Sequence, residues 1–280
     1  MAGGPRIGSM SGAATARLVQ AVRSSGLVEP GSGGVALCSG GADSAALLAG
    51  LTGLYGPGEV VALHLNYGLR DEAGEDERAC AELCERLGTE LVVERPPAEE
   101  VRGAGNVQAR ARELRYSAAE RLRSERGLDW IATGHTRTDL AETVLYRLAT
   151  SPGTRALLGL PERRGAIVRP LLSLGREDVR RLAREAALPF RDDASNESPR
   201  FARNRIRSEV LPVLAEIGPA AEASIAETHA ELEEEARTLA RLADEALEAG
   251  GAAGGAIPAE ALSGLDPAVR RLALRALAER

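Results

Sequence analysis

The chain has 280 residues, of which 44% are hydrophobic and 27% charged, with a formal net charge of −6. That length allows one large domain with an appendage or two modest ones, and no stretch approaches the ~20 uninterrupted apolar residues of a membrane-spanning helix. All 35 basic residues are arginine and aromatic residues make up only 2%, which excludes a lysine-bearing Walker P-loop and argues against a base-stacking sheet of the RRM kind.

The first thirty residues lack the basic start and apolar block of a secretory signal, and three cysteines suit a reducing compartment rather than a disulfide framework. The expectation is a cytoplasmic protein with no membrane partner. Residues 1–29 read as an N-terminal helical segment. Next come five short apolar runs, at 34–38, 60–65, 90–94, 129–134 and 166–171, separated by segments of 3.6-residue periodicity. This pattern predicts the α/β class: a doubly wound, mostly parallel five-stranded sheet covered on both faces. Cys80 and Cys84, with Leu83 and Leu87, share one face of a predicted helix, which is the spacing of core packing and not the CxxC of a metal site. From 216 to 280 the chain reads as a helical linker and the start of a C-terminal helical subdomain. Between Glu216 and Glu248 ten acidic residues accompany only Arg237 and Arg241, so the rest of the chain is mildly basic.

In sheets of this kind ligands bind beyond the carboxyl ends of the strands, near a topological switch point. Those ends are Ser39–Ser44, His64–Arg70 and Gly134–Glu142. In "LCSGGADS" consecutive glycines before a helix can turn backbone amides toward an anion, with the positive end of the helix dipole behind them. The same letters also fit a Gly-Gly turn with Asp43 or Ser44 as helix N-cap. Asp139 and Glu142, three apart after His135, suit a carboxylate pair facing a cation, and equally a capping box with Asp139 as N-cap and Glu142 at N3. Arg112 and Arg115 share a helix face, and "RFARNRIR" places Arg200, Arg203, Arg205 and Arg207 within eight residues. Such clusters suit phosphate contacts or merely a solvated basic surface. His64 alone reads as a structural strand-end residue, and His229 as incidental.

The string S-G-G-x-D-S at 39–44 resembles the pyrophosphate-binding PP-loop of the N-type ATP pyrophosphatases, which cleave ATP between the α and β phosphates and adenylate a substrate. "HLNYGLR" (64–70), "GNVQARARELRY" (105–116), "GHTRTDLAET" (134–143) and the segment from Arg169 to Leu214 with "RPLL", "LPF", "SN" and "RNRIR" are similar to the tRNA(Ile)-lysidine synthetase family. The resemblance covers about 30–215 and implies that this span is a PP-loop ATP pyrophosphatase catalytic domain. It implies the cofactors ATP and Mg²⁺ and, as partners, L-lysine and an isoleucine tRNA with a CAU anticodon. A homodimer is a further expected assembly. The implied reaction adenylates the C2 oxygen of the wobble cytidine. The ε-amine of lysine then displaces AMP, giving lysidine and changing specificity from Met to Ile.

By the same resemblance Ser39, Gly40, Gly41, Ala42, Asp43, Ser44 and His64 are expected to bind ATP, with Asp43 also on Mg²⁺. Asp43, Arg112, His135, Asp139 and Glu142 are expected to serve catalysis or lysine binding. Arg115, Arg203, Asn204, Arg205 and Arg207 are expected to contact tRNA. Three departures stand out. Tyr67 replaces a histidine, and "TSPGTRALLGL" keeps Gly153, Leu157 and Gly159 but has Thr150, Ser151, Pro152 and Ala156 where the family carries arginine and small residues. Thr138 stands where many members have an acidic residue or Asn. A tRNA-thiolating relative would carry a CxxC or a catalytic cysteine pair. The remaining competitor from another class is a nucleotide-binding module without turnover.

Overall fold

The computed structural model describes residues 12–69, 73–102, 107–191, 202–252 and 256–278. Strands β1 (Gly34–Leu37), β2 (Val60–Leu65), β3 (Glu90–Glu94), β4 (Trp130–Ala132), β5 (Arg163–Arg164) and β6 (Ile167–Val168) form one sheet in the order β3-β2-β1-β4-β6-β5. All pairings are parallel except the β5–β6 hairpin. Each of the five predicted runs supplies a strand, and the sixth is the two-residue β5. It escapes sequence detection because Arg163 and Arg164 are both exposed and carry no apolar alternation. β6 is shorter than predicted because Pro170 has no backbone N–H to continue the ladder.

Alternation along the strands divides the core in two. Ala36, Val60, Ala62, Trp130 and Val168 face one layer, packed with Leu18 and Val22 of α1 (Gly12–Ser24), residues of α2 (Ala42–Tyr55), Leu83 of α3 (Ala73–Leu87) and Val179 and Leu182 of α8 (Arg176–Glu185). Val35, Leu37, Val61, Leu63 and Ile131 face the other, against Ala118, Ala119 and Leu122 of α5 (Val107–Glu125). α2 is apolar around its whole circumference over Ala45–Leu51 and is buried throughout that stretch, as expected of a central helix with neighbours on every side. α3 and α8 instead have a single buried stripe, with acids in the first turn and arginine in the last, which complements the helix dipole. Gly34 is required by packing, since a Cβ there would lie 2.1 Å from the Trp130 ring on the adjacent strand.

From β1 the chain moves outward to β2 and β3, then returns to place β4 on the other side of β1. The reversal puts the switch point between the carboxyl ends of β1 and β4. Gly134 lets the two connections touch there, as a Cβ on it would lie 2.9 Å from the Asp43 carbonyl oxygen. α4 (Ala98–Arg102) precedes α5. α6 (Arg137–Thr150) and α7 (Thr154–Leu157) follow β4, and α9 (Ala202–Arg205) runs through a π-helical turn, Ile206–Val210, into α10 (Leu211–Ile217).

Described residues up to Thr143, together with Leu160–Glu222, make one compact unit. Val144–Gly159 and the described part of Ala223–Arg280 make a second. In the second, α11 (Ala221–Ala249), α12 (Ala259–Ser263) and α13 (Pro267–Ala278) supply a small core around Ala243, Leu247 and Ala273. No helix among the described residues is long and apolar enough to cross a membrane.

Candidate active site

The β1–α2 connection is a cradle fixed by its own hydroxyls. Gly40 takes φ +87°, a conformation that favours glycine, and a Cβ on it would lie 3.0 Å from the Asp76 carbonyl oxygen. Ser44 Oγ donates to the Gly41 carbonyl at 2.9 Å and accepts from the Ser39 amide at 3.1 Å, with Ser39 Oγ also 3.1 Å away. The helix N-cap is Gly41, which makes no side-chain cap bond. Neither Asp43 nor Ser44 caps α2, because both lie inside its first turn and Ser44 points back into the loop. The amides opening a 14-residue helix are therefore free of a side-chain cap, as an anion site requires. The Arg191 amide donates to the Gly40 carbonyl at 2.8 Å, and its guanidinium reaches Glu75 at 2.6 Å and Asp76 at 3.3 Å, tying Arg191 to both the cradle and α3.

Asp43 is the charged residue of this turn. Its Oδ2 lies 3.6 Å from Arg176, at the first position of α8, and its buried Oδ1 has no hydrogen-bond partner among the described residues. Burial pushes the carboxyl up to about 6 against the pull of the Arg176 guanidinium, and Asp139 adds to the rise. Arg176 is oriented through Thr138, whose hydroxyl accepts from the Arg176 amide at 3.1 Å and donates to Glu222 at 2.9 Å. At the site's second strand end, His135 Nδ1 is 2.7 Å from Thr133 Oγ1. Burial depresses the imidazole to about 4; Asp139 pulls it back up, and nearby Arg169, Arg112 and Arg203 add to the depression.

The capping box of α6 lies one turn earlier than the sequence suggests. The Thr136 amide and hydroxyl both donate to Asp139 Oδ2 at 2.8 Å, and the Asp139 amide is 3.4 Å from Thr136 Oγ1. Thr136 is thus N-cap and Asp139 the reciprocating N3 residue. Glu142 is left inside the helix with 1% side-chain exposure, bonded to Arg207 Nε at 2.5 Å. Burial raises its carboxyl above the usual range, partly offset by Arg207. Arg207 also comes within 4.0 Å of Asp139, and Arg203 donates to Thr143 at 3.0 Å. Both arginines tie the α9 segment to α6. Arg205 faces away, in an exposed pair with Glu209.

Ser39, Asp43, Ser44, His64, Arg115, His135, Asp139, Arg203 and Asn204 line a single cavity of about 780 Å³ between the strand ends. Gly40, Gly41 and Ala42 shape the cradle behind it. Arg112, Glu142, Arg205 and Arg207 are outside its wall, with Arg112 stacked 4.9 Å over the Tyr116 ring that does line it. Arg200 and Arg70 lie outside the described residues. Sequence reasoning missed Arg176, Thr138 as its holder, and the wall residues Asn66, Thr133 and Tyr116. Arg176 and Asp43 are 133 residues apart, and no local spacing announces their pairing. The divergent 150–160 stretch contains α7, with Gly153 at φ +91° and Gly159 against the Arg147 guanidinium. His229 proves to be only 4% exposed, with Nε2 unpartnered among the described residues.

A PP-loop domain profile matches residues 15–214. The chain is 36% identical to the tRNA(Ile)-lysidine synthase of Thermobifida fusca, over 86% of this chain and 75% of that protein. It is 40% identical to the one from Solibacter usitatus, covering 85% and 55%, and 38% identical to the one from Bacteroides thetaiotaomicron, covering 74% and 49%. The chain spans about half the length of most of these curated relatives. Its fold is similar to the U34-tRNA thiolase NcsA of Methanococcus maripaludis, solved with its [4Fe-4S] cluster, at a TM-score of 0.67 and 18% identity over 80% of each chain. On this geometry and these matches, the chain belongs to the tRNA(Ile)-lysidine synthase family of PP-loop proteins.

Proposed function

We propose that this protein ligates L-lysine to C2 of the wobble cytidine of an isoleucine tRNA with a CAU anticodon, through an adenylated tRNA and with release of pyrophosphate and AMP. The observation that carries this reading is the convergence, in one cavity, of the Ser39–Ser44 cradle, the Asp43 carboxyl, whose Oδ1 has no partner among the described residues, and His135 and Asp139 at the adjoining strand end. The names of the relatives supply the acceptor.

The cradle amides and the α2 dipole hold the leaving pyrophosphate of ATP. The cytidine C2 oxygen attacks the α-phosphorus and pyrophosphate departs; the lysine ε-amine then attacks C2, and AMP leaves with the C2 oxygen. Asp43 Oδ1 suits Mg²⁺: among the described residues no three His, Cys, Asp or Glu side chains gather as a metal cage, and this ion is held through one or two carboxylates with phosphate oxygens and water. Bound there, the ion would neutralise charge building on the leaving phosphates. Asp139, on the cavity wall, supplies negative charge for the lysine ammonium, while Glu142, buried against Arg207, holds α6 to the α9 segment; His135, neutral at pH 7, can take up the proton that the attacking amine releases. Arg115, Arg203, Asn204, Arg205 and Arg207 hold the tRNA backbone.

The test is incubation of the purified protein with ATP, Mg²⁺, labelled lysine and a CAU isoleucine-tRNA transcript. Label should enter the RNA and vanish when the wobble cytidine is replaced. ATP binding without AMP release when all substrates are present would make the chain a nucleotide-binding module.

A further inference from the structure

The ligation chemistry leaves one cluster of reactive side chains unused. Cys38 ends the β1 edge of the cradle and lines the cavity, while Cys80 sits on α3, and their sulfurs are 3.1 Å apart. His64 Nδ1 lies 2.9 Å from the Cys38 carbonyl oxygen and 3.4 Å from the Cys80 sulfur. The third cysteine, Cys84, is buried one turn further along α3. A disulfide needs sulfurs about 2.05 Å apart, so closure by roughly 1 Å would join two segments that are 42 residues apart in the chain. The geometry points to Cys38 and Cys80 as a reversible disulfide site that couples peroxide to the pyrophosphate cradle. Disulfides in reducing compartments are mostly transient and redox-sensing.

The two thiols differ in the way such a site requires. Hydrogen bonding from Cys80 and the Gly40 amide lowers the Cys38 thiol below its usual range, whereas that same hydrogen bond and burial raise Cys80. Burial pushes Cys84 up to about 12, which leaves it inert. Hydrogen peroxide, little larger than water, reaches Cys38 through the cavity. The Cys38 thiolate attacks one peroxide oxygen and becomes a sulfenic acid as the O–O bond breaks, and the other oxygen leaves as water after taking the proton that the Cys38 thiol gave up. The Cys80 sulfur then attacks the sulfenic sulfur, a second water leaves with the Cys80 proton, and the S–S bond forms. Two thiols are oxidised and one peroxide is reduced.

The link acts on the cradle because α3 already touches it. The Asp76 backbone, four residues before Cys80, lies 3.0–3.1 Å from the Cβ position of Gly40. Drawing α3 toward Cys38 presses that backbone into the loop whose amides hold phosphate. The disulfide itself stands on the geometry, and only its effect on nucleotide binding rests on the proposed function.

Purified protein is treated with hydrogen peroxide, alkylated and mapped by mass spectrometry under non-reducing conditions, and its affinity for ATP·Mg²⁺ is measured before treatment, after it, and after dithiothreitol. A Cys38–Cys80 linked peptide with Cys84 alkylated is expected. ATP affinity should fall roughly tenfold or more, as ångström-scale misplacement does at such sites, and return on reduction. Cys80→Ser, or Cys80→Ala if the serine variant loses its helical circular dichroism, should keep its ATP affinity through peroxide. Cys38 passing to sulfinic acid with no linked peptide overturns the site, and a linked peptide with unchanged ATP affinity overturns the coupling. A reduced protein that forms the link yet binds no ATP supports the site and overturns the nucleotide reading instead.

Discussion

At Asp43 a single carboxyl is held between burial, which raises its pKa to about 6, and an arginine that opposes the rise. Its folded pKa of about 6 lies above the ordinary carboxylate value, so stability is fully present below pH ~4 and is lost as pH rises through about 6, to a total of up to about 3 kcal/mol. Asp43→Asn should therefore stabilise the free protein at pH 7 but not at pH 4, as read by urea unfolding at the two pH values, while abolishing AMP formation. AMP formation at the wild-type rate by Asp43→Asn would remove this residue from the chemistry. For the wild type, kcat/KM for ATP should rise as pH increases through about 6, where the free enzyme's Asp43 ionises. His135 runs the other way: with its imidazole depressed to about 4, stability is present above the usual histidine range and is lost as pH falls toward 4. The two slopes oppose each other over the same window, so the His135 slope should emerge in the Asp43→Asn variant. The residue types here were legible in "SGGADS" and "GHTRTDLAET". The partner that tunes Asp43 was not, because Arg176 lies 133 residues away at the start of another helix, where the Thr138 hydroxyl holds its amide.

Helix α6 shows how one element can serve two roles. Sequence spacing allowed Asp139 and Glu142 to be either a cap or a carboxylate pair, and the structure gives the cap to Thr136 and Asp139, leaving Glu142 for Arg207. The register of the first helical turn decided this, and a one-turn uncertainty is ordinary when Thr136 and Asp139 are both good cap formers. Removing Arg207 would strand a carboxylate with 1% exposure. Arg207→Met should thus cost roughly 3 kcal/mol, and adding Glu142→Gln should recover most of it. Additive losses in the double-mutant cycle would mean that the pair contributes no coupling. Thr136→Ala should cost about 1 kcal/mol and, by freeing Asp139 to rotate, should raise KM for lysine more than it lowers kcat.

For the molecule as a whole, charge is unevenly placed: the acidic run from Glu216 to Glu248 offsets a mildly basic remainder. tRNA affinity should fall steeply with salt. Arg205→Ala, whose guanidinium has only an exposed Glu209 partner, should flatten the log–log slope by about 0.7–0.9, the contribution of one phosphate contact. An unchanged slope would take Arg205 off the RNA. Sequence alone was enough for the fold class, the order in which five strands appear, the glycine-rich turn after β1 and the family. All of these are written in local signals: apolar runs of strand length, glycines before a helix, and motifs a few residues long. Folding in three dimensions added the sixth strand, the placement of the switch point between β1 and β4, the Arg176–Asp43 and Arg207–Glu142 pairs, and the meeting of Cys38 with Cys80. Each joins groups remote in the chain, and their contact depends on how helices pack across a twisted sheet, which no short-range periodicity encodes.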